Sequence, residues 1–305
     1  MSRPDRPVDK FGFPIPVTFD EGPAPRKGFR LPESPGSRRA LGVLVGVVIV
    51  GLLVGPWLVR KVKGLRAHMF EIRAQNCFLD DDYAGAVENI DHAMQWLPEN
   101  KNLVFYRAQY RLAAGDLDGA LTDANTAVQQ AEKFGRGYTL RSMIHHRRGE
   151  YAESIQDATT ALKLASPNDP SGLNDRAYYR ALAGQELPGA LADVELALRQ
   201  EPGEPSYLDT RGYIQFKLEK YPPALADFDK AIETTESQIG EVESQPVPRD
   251  QQKYLEREVR SMTEGLSVMY HHRAEVQDKL GHADKAKSDF AIAKKLGYDP
   301  SKGIE

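Results

Sequence analysis

The chain has 305 residues, 41% of them hydrophobic, with 40 Lys and Arg against 44 Asp and Glu and a formal net charge of −4. From residue 61 onward the balance is 31 basic to 39 acidic, which excludes a general nucleic-acid binder, because neutralising phosphates needs a clustered basic face. The single cysteine, Cys77, excludes a disulfide framework and is read as a buried structural thiol.

Residues 1–39 carry eight prolines and little apolar surface, so a Pro-rich disordered tail is expected. Its one apolar island, residues 11–17, reads either as a docking motif or as plain linker. Twenty uncharged residues then follow from Ala40 to Val59. At 1.5 Å per residue the run spans roughly 30 Å, enough for a bilayer core. A single-pass transmembrane helix is expected over 40–60, uncleaved, since no small-x-small cleavage site follows it. Within fifteen residues on either side there are five Lys or Arg, so local charge does not orient it. The tail's eight basic residues place the tail in the cytoplasm and the rest of the chain outside. Gly42-x-x-x-Gly46 and Gly51-x-x-x-Gly55 fit close helix pairing; a homodimer is one reading and ordinary membrane-helix glycine content the other.

Beyond the anchor, pairs of small residues seven apart recur as Ala86/Ala93, Ala120/Ala127, Ser154/Ala161, Ala190/Ala197, Ala224/Ala231 and Ala286/Ala293. A spacing of seven puts both on one helical face, where the missing side chain lets two backbones approach. The steps between units are 34, 34, 36, 34 and 62 residues, the mark of an array of helical hairpins. Between each hairpin's helices lie turn sequences such as Gly115-Asp116-Leu117, Gly149-Glu150-Tyr151 and Glu219-Lys220-Tyr221, and prolines close repeats at Pro98, Pro202 and Pro300. In these features the chain resembles the tetratricopeptide repeat. Six repeats are placed at about 67–100, 101–134, 135–168, 171–204, 205–238 and 267–300.

The resemblance implies an all-α, right-handed superhelical solenoid over 67–300 whose first helices line a concave groove. By the same resemblance the exposed groove positions include Phe78, Phe105, Gln109, Met143, Arg147, Asp175, Tyr179, Asp209, Tyr213 and Phe216. Aromatics mixed with separated charges suit an extended peptide or a partner helix, although some of these rings could instead pack against a neighbouring repeat. The Lys/Asn/Arg clamp that such proteins use on acidic chaperone C-termini is missing, with Glu71 and Gln75 in its place.

A second in-phase pattern is polar. Arg107, Arg141, Arg211 and Arg273 occupy the seventh repeat position, and Asp123, Asp157, Asp227 and Asp289 the twenty-third. They are read as structural pairs bridging the two helices of one repeat. The 62-residue step leaves an insertion at about 235–264, divided by Pro246-Val247-Pro248, which is expected to extend both flanking helices into a projecting hairpin. The last repeat's Ala291, Ile292, Leu296 and Tyr298, without a clear capping helix after them, are expected either to fray or to meet a partner, another copy or the membrane.

No signal for catalysis stands out. HExxH, CxxC, Gly-x-Ser-x-Gly and a phosphate-binding glycine loop are all missing from the sequence. His145-His146 and His271-His272 are adjacent pairs whose side chains point about 100° apart, unlike metal ligands spaced i, i+4. Neither enzyme activity, nor a cofactor, nor a metal is expected. The favoured function is a membrane-anchored interaction scaffold holding a protein or peptide partner in the groove. The alternative is a structural subunit of an envelope or secretion complex, held through its convex face and transmembrane helix.

Overall fold

The structure, a computed structural model, describes residues 35–246, 248 and 251–299. The tail before residue 35, with its apolar island at 11–17, and Pro300 lie outside the described residues. The chain divides into two units, Met1–Arg60 and Lys61–Glu305.

In the first unit the described residues belong to helix α1 (Pro35–Leu79). From Val43 to Ile49 and from Leu52 to Val59 its large apolar side chains are each at least 46% exposed. The helix contains a stretch long and apolar enough to cross a membrane, with mean hydropathy 2.3 in its most apolar window and none of that window buried.

The second unit is a stack of antiparallel helices. After the last part of α1 come α2 (Tyr83–Trp96), α3 (Lys101–Ala113), α4 (Leu117–Gln130), α5 (Gly135–Arg147), α6 (Tyr151–Leu164), α7 (Pro170–Ala183) and α8 (Leu187–Gln200), then α9 (Pro205–Lys217), α10 (Tyr221–Ser244), α11 (Gln252–Lys279) and α12 (Ala283–Lys295). From α2 onward each helix packs on the next. The small residues spaced by seven are what permit this: Ala86, Ala120, Ser154, Ala190, Ala224 and Ala231 are fully buried, and Ala286 and Ala293 nearly so. Ile90, Leu103, Ile144, Leu173, Val194, Ile214 and Phe228 fill the spaces between.

The turn between the two helices of a repeat needs one residue in the left-handed region, a common way to end a helix. Gly149 takes it at φ 73°, whereas in the fifth repeat Glu219 takes it at φ 59°, a conformation that side chains disfavour. In two turns an aspartate cap follows the left-handed residue (Asp81 at φ 59°, Gly115 at φ 78°), Asp82 accepting from the Gly85 N–H (2.9 Å) and Asp116 from the Gly119 N–H (3.0 Å). Cys77, expected to be buried, is only half-buried, because it sits near the open end of α1; burial and the nearby Asp82 carboxylate raise its pKa.

The polar pattern forms a ladder. Arg107 donates to both oxygens of Asp123 (2.8 and 2.7 Å), Arg141 to both of Asp157 (2.7 and 2.8 Å), Arg211 to both of Asp227 (2.7 and 2.6 Å) and Arg273 to both of Asp289 (2.8 and 2.8 Å). Arg176, one position out of phase, does the same with Asp193 (2.8 and 2.8 Å). Several of these arginines reach further, into the second helix of the preceding repeat: Arg107 to Asp91 (2.6 Å), Arg141 to Asn125 (2.9 Å) and Arg273 to Asp229 (2.9 Å). Each of those rungs therefore ties together three helices from two repeats. The aspartates are nearly enclosed, with Asp123, Asp157 and Asp289 side chains 4–7% exposed.

Removing one member of such a pair strands a buried charge, whereas removing both does not. Arg211→Met is expected to lower stability by about 2–3 kcal/mol, and Arg211→Met/Asp227→Leu to recover most of the loss. Chemical unfolding followed by far-ultraviolet circular dichroism checks this; equal losses in the single and double variants would contradict the pairing.

Candidate interaction surface

Successive first helices touch one another, α3 with α5, α7 with α9 and α9 with α11, while no two second helices make comparable contact among the described residues. The first helices thus line the inner side of the stack. Along that side runs a row of stacked rings. His146 of α5 stacks on Tyr179 of α7 (centroids 5.1 Å apart), the adjacent Tyr178 meets Tyr213 of α9 (6.2 Å), Tyr213 stacks on His272 of α11 (4.6 Å), and His271 stacks on Tyr298 (4.1 Å). Tyr179 and Tyr213 hold the same position of their repeats, 34 residues apart, but His146, Tyr178 and His272 do not, so the 34-residue period gave only part of the row.

This packing corrects part of the groove expected from sequence. Phe105, Tyr179, Asp209 and Tyr213 are only 3–8% exposed. Phe105 lies edge-on against Phe134 (5.1 Å) with Arg136 over its ring (5.1 Å). Tyr179 and Tyr213 belong to the stacked row, and Asp209 Oδ1 faces His272 Nδ1 at 3.0 Å. These four hold the first helices together instead of facing outward. Met143, 43% exposed, and Arg147 do face solvent, and Phe78, Gln109, Asp175 and Phe216 are half-buried. Burial pushes His271 down to about 4, with His272 adding to it, so the imidazole of this aromatic end is neutral at physiological pH. Among the described residues no cluster of His, Cys, Asp or Glu is arranged to hold a metal.

At the first-repeat end, a cavity of about 380 Å³ is lined by Glu71, Gln75, Phe78, Tyr106, Gln109 and Tyr110. Phe78 packs on Tyr110 (5.1 Å). The outer arm of the insertion reaches this end: Arg257 stacks over the Phe78 ring (3.9 Å) and donates to the Phe78 carbonyl (2.6 Å), while Lys253 and Arg260 pair with Asp80 and Asp81. The insertion was expected to project; α10 and α11 are indeed long, 24 and 28 residues, but the arm is seated on the first repeat, held there by the contacts of Lys253, Arg257 and Arg260. At the other end Ile292, Leu296 and Tyr298 pack, partly buried, on the core of their own unit instead of fraying, while Ala291 is exposed.

The fold is that of a tetratricopeptide-repeat protein. No protein-family model matches the chain. Over 123 residues it is 31% identical to tetratricopeptide repeat protein 36 of Bos taurus, covering 39% of this chain and 63% of that one. It is 27% identical over 131 residues to the protein STIP1 homolog of Dictyostelium discoideum, covering 42% of this chain. The chain spans only 23–34% of the length of the first curated relatives it matches. Among solved structures, a tetratricopeptide repeat protein from Parabacteroides merdae superimposes with a TM-score of 0.52 at 16% identity, over 78% of this chain and 95% of that one. PilW, described as a type IV pilus biogenesis factor, gives 0.57 at 16% identity, over 79% and 96%. At such identities the likeness concerns the fold.

One inner-face group is electrostatically poised. Burial, with a contribution from the Asp169 carboxylate, pushes Asp175 up to about 6 from its usual 3.8. Its charged form is therefore penalised in the folded state, and stability falls as pH rises from about 4 through 6. Asp175→Asn removes the penalty: it is expected to raise stability at pH 7.5 by at most about 3 kcal/mol, and the gain should shrink as pH is lowered from 6 to 4.5. Thermal melts of both proteins across that range check it; a gain independent of pH would contradict the buried-charge account.

Proposed function

We propose that the protein is a membrane-anchored scaffold whose inner, first-helix face binds an extended peptide or a helix of a protein partner. The observation that carries this reading is the division of labour on that face. A buried ring row fixes the backbones, and the side chains left over, Met143, Arg147, Gln109, Asp175 and Phe216, offer apolar area and separated charge of both signs. Anchors of that kind supply most binding energy, while charges set register and exclude wrong partners. A cationic group seated beside Asp175 would relieve the penalty on its ionised form. The bare apolar stretch of α1 from Val43 to Val59 is the membrane anchor in this reading, with the repeats on the extracytoplasmic side. Pairing of two copies through Gly46 or Gly51 remains part of the proposal, as no other group in the described structure lies within 4 Å of the space a side chain would take there.

The second reading is a structural subunit held by its outer, second-helix face and by α1, and it is the same exposed apolar stretch that favours it. Co-purification from carbonate-washed membranes separates the two. The intact chain is compared with Met143→Glu/Arg147→Glu, whose substitutions lie on exposed positions and should leave helicity and melting unchanged. Loss of one specific protein by tenfold or more is expected under groove binding. Retention of every partner by the variant supports the structural-subunit reading, and release of the chain by carbonate would contradict the anchor in both.

A further inference from the structure

The arm formed by the first turns of α11 is held unlike any other helix in the second unit. From Gln252 to Gly265 it contains no buried residue, and neither does the facing part of α10 after Thr235. Its hold on the first repeat comes from cationic side chains instead. Lys253, Arg257 and Arg260, spaced i, i+4 and i+7, share one helical face, and that face meets Asp80, Asp81 and the ring and carbonyl of Phe78. Tyr83 supports the acidic side by donating to Asp81 Oδ1 (3.0 Å). Exposed ion pairs of this kind are individually weak and screened by salt, and a guanidinium over a ring adds a modest attraction. No apolar core would have to be broken to lift the arm away. The contact is specific in chemistry and cheap to undo.

What the arm covers matters. Phe78 is a wall of the 380 Å³ cavity lined by Glu71, Gln75 and Gln109 on the inner face, and Arg257 lies over that same ring at 3.9 Å, so a ligand that stacks a cation on Phe78 competes with the arm. We propose that the α11 arm is an intramolecular ligand of the first-repeat end of the inner face, and that a partner binding at that end is a helix presenting cationic side chains at i, i+4 and i+7, which displaces the arm. This rests on the inner face being the binding surface and adds the partner's chemistry and a gate at one end. The chemistry of the site agrees: Glu71 lines the cavity with Phe78 and Tyr110, and Asp80 and Asp81, just after Phe78 in the chain, pair with the cations of the arm, a setting that favours a guanidinium over a carboxylate.

Two measurements on the full chain in detergent test it. With Cys77→Ser and spin labels placed at positions 84 and 256, the wild-type arm is expected to give one short inter-label distance. Lys253→Gln/Arg257→Gln/Arg260→Gln should lengthen and broaden that distance, and an unchanged distribution in the triple variant would overturn the proposal. The second probe is a labelled synthetic peptide of residues 251–264, the arm itself. It is expected to bind the triple variant at least tenfold more tightly than wild type, and to lose that binding when Asp80→Asn/Asp81→Asn is added. Equal binding to wild type and triple variant, or binding to neither, would overturn the proposal. Because Met143 and Arg147 lie away from the arm, failure here with partner loss in the Met143→Glu/Arg147→Glu variant would leave groove binding standing without the gate.

Discussion

Everything in the stack depends on how closely its helices approach. A pair of small residues seven apart on each second helix leaves no side chain at the crossing, and these residues are buried almost completely in all six repeats. Close approach brings a penalty, because flat apolar contacts tolerate sliding. The arginine–aspartate ladder removes that freedom. A guanidinium with two oxygens to meet on its own repeat, and in several repeats a third partner on the preceding one, can be satisfied in one register only. Burial of such pairs adds little net stability, since desolvation offsets attraction; their contribution here is to geometry.

Curvature follows from that geometry. First helices meet across repeats and second helices do not, so the stack bends toward its first helices, and rings from successive repeats are driven together on the inner side. Part of the expected binding face is spent on holding the repeats: Tyr179 meets His146, and Tyr213 meets Tyr178 and His272, before either meets any ligand. The remaining inner residues are sparser and more polar than the sequence suggested. The same curvature returns the insertion arm to the first repeat, where three cations find an acidic turn and an exposed ring.

How much of this could be read in advance depends on how far each feature reaches along the chain. The helical hairpins and their phase were legible because small residues and turns repeat at fixed spacing. The within-repeat half of the polar rungs was legible for the same reason, sixteen residues apart in four of them and seventeen in Arg176–Asp193. Its other half, Asp91, Asn125 or Asp229, was not, because it exists only once a neighbouring repeat has been stacked at the correct angle. The burial of Phe105 and Tyr213 was hidden in the same way: whether a ring at an inner position faces solvent depends on what packing places beside it, here Phe134 at the cap of α5 and His272 of the next repeat. The landing of Arg257 on Phe78 joins residues 179 apart and rests on the summed curvature of all repeats, which no local pattern encodes.

The central claim is that ligands meet the inner face. Site-specific photo-crosslinking in intact membranes tests it most directly, with a photoreactive residue placed at Met143 on α5 or at Lys163, which is exposed on the second helix α6. A discrete protein crosslinked from Met143 and absent from Lys163 is the result this account predicts. Crosslinks from Lys163 with none from Met143 would contradict it and move the working surface to the outside of the stack.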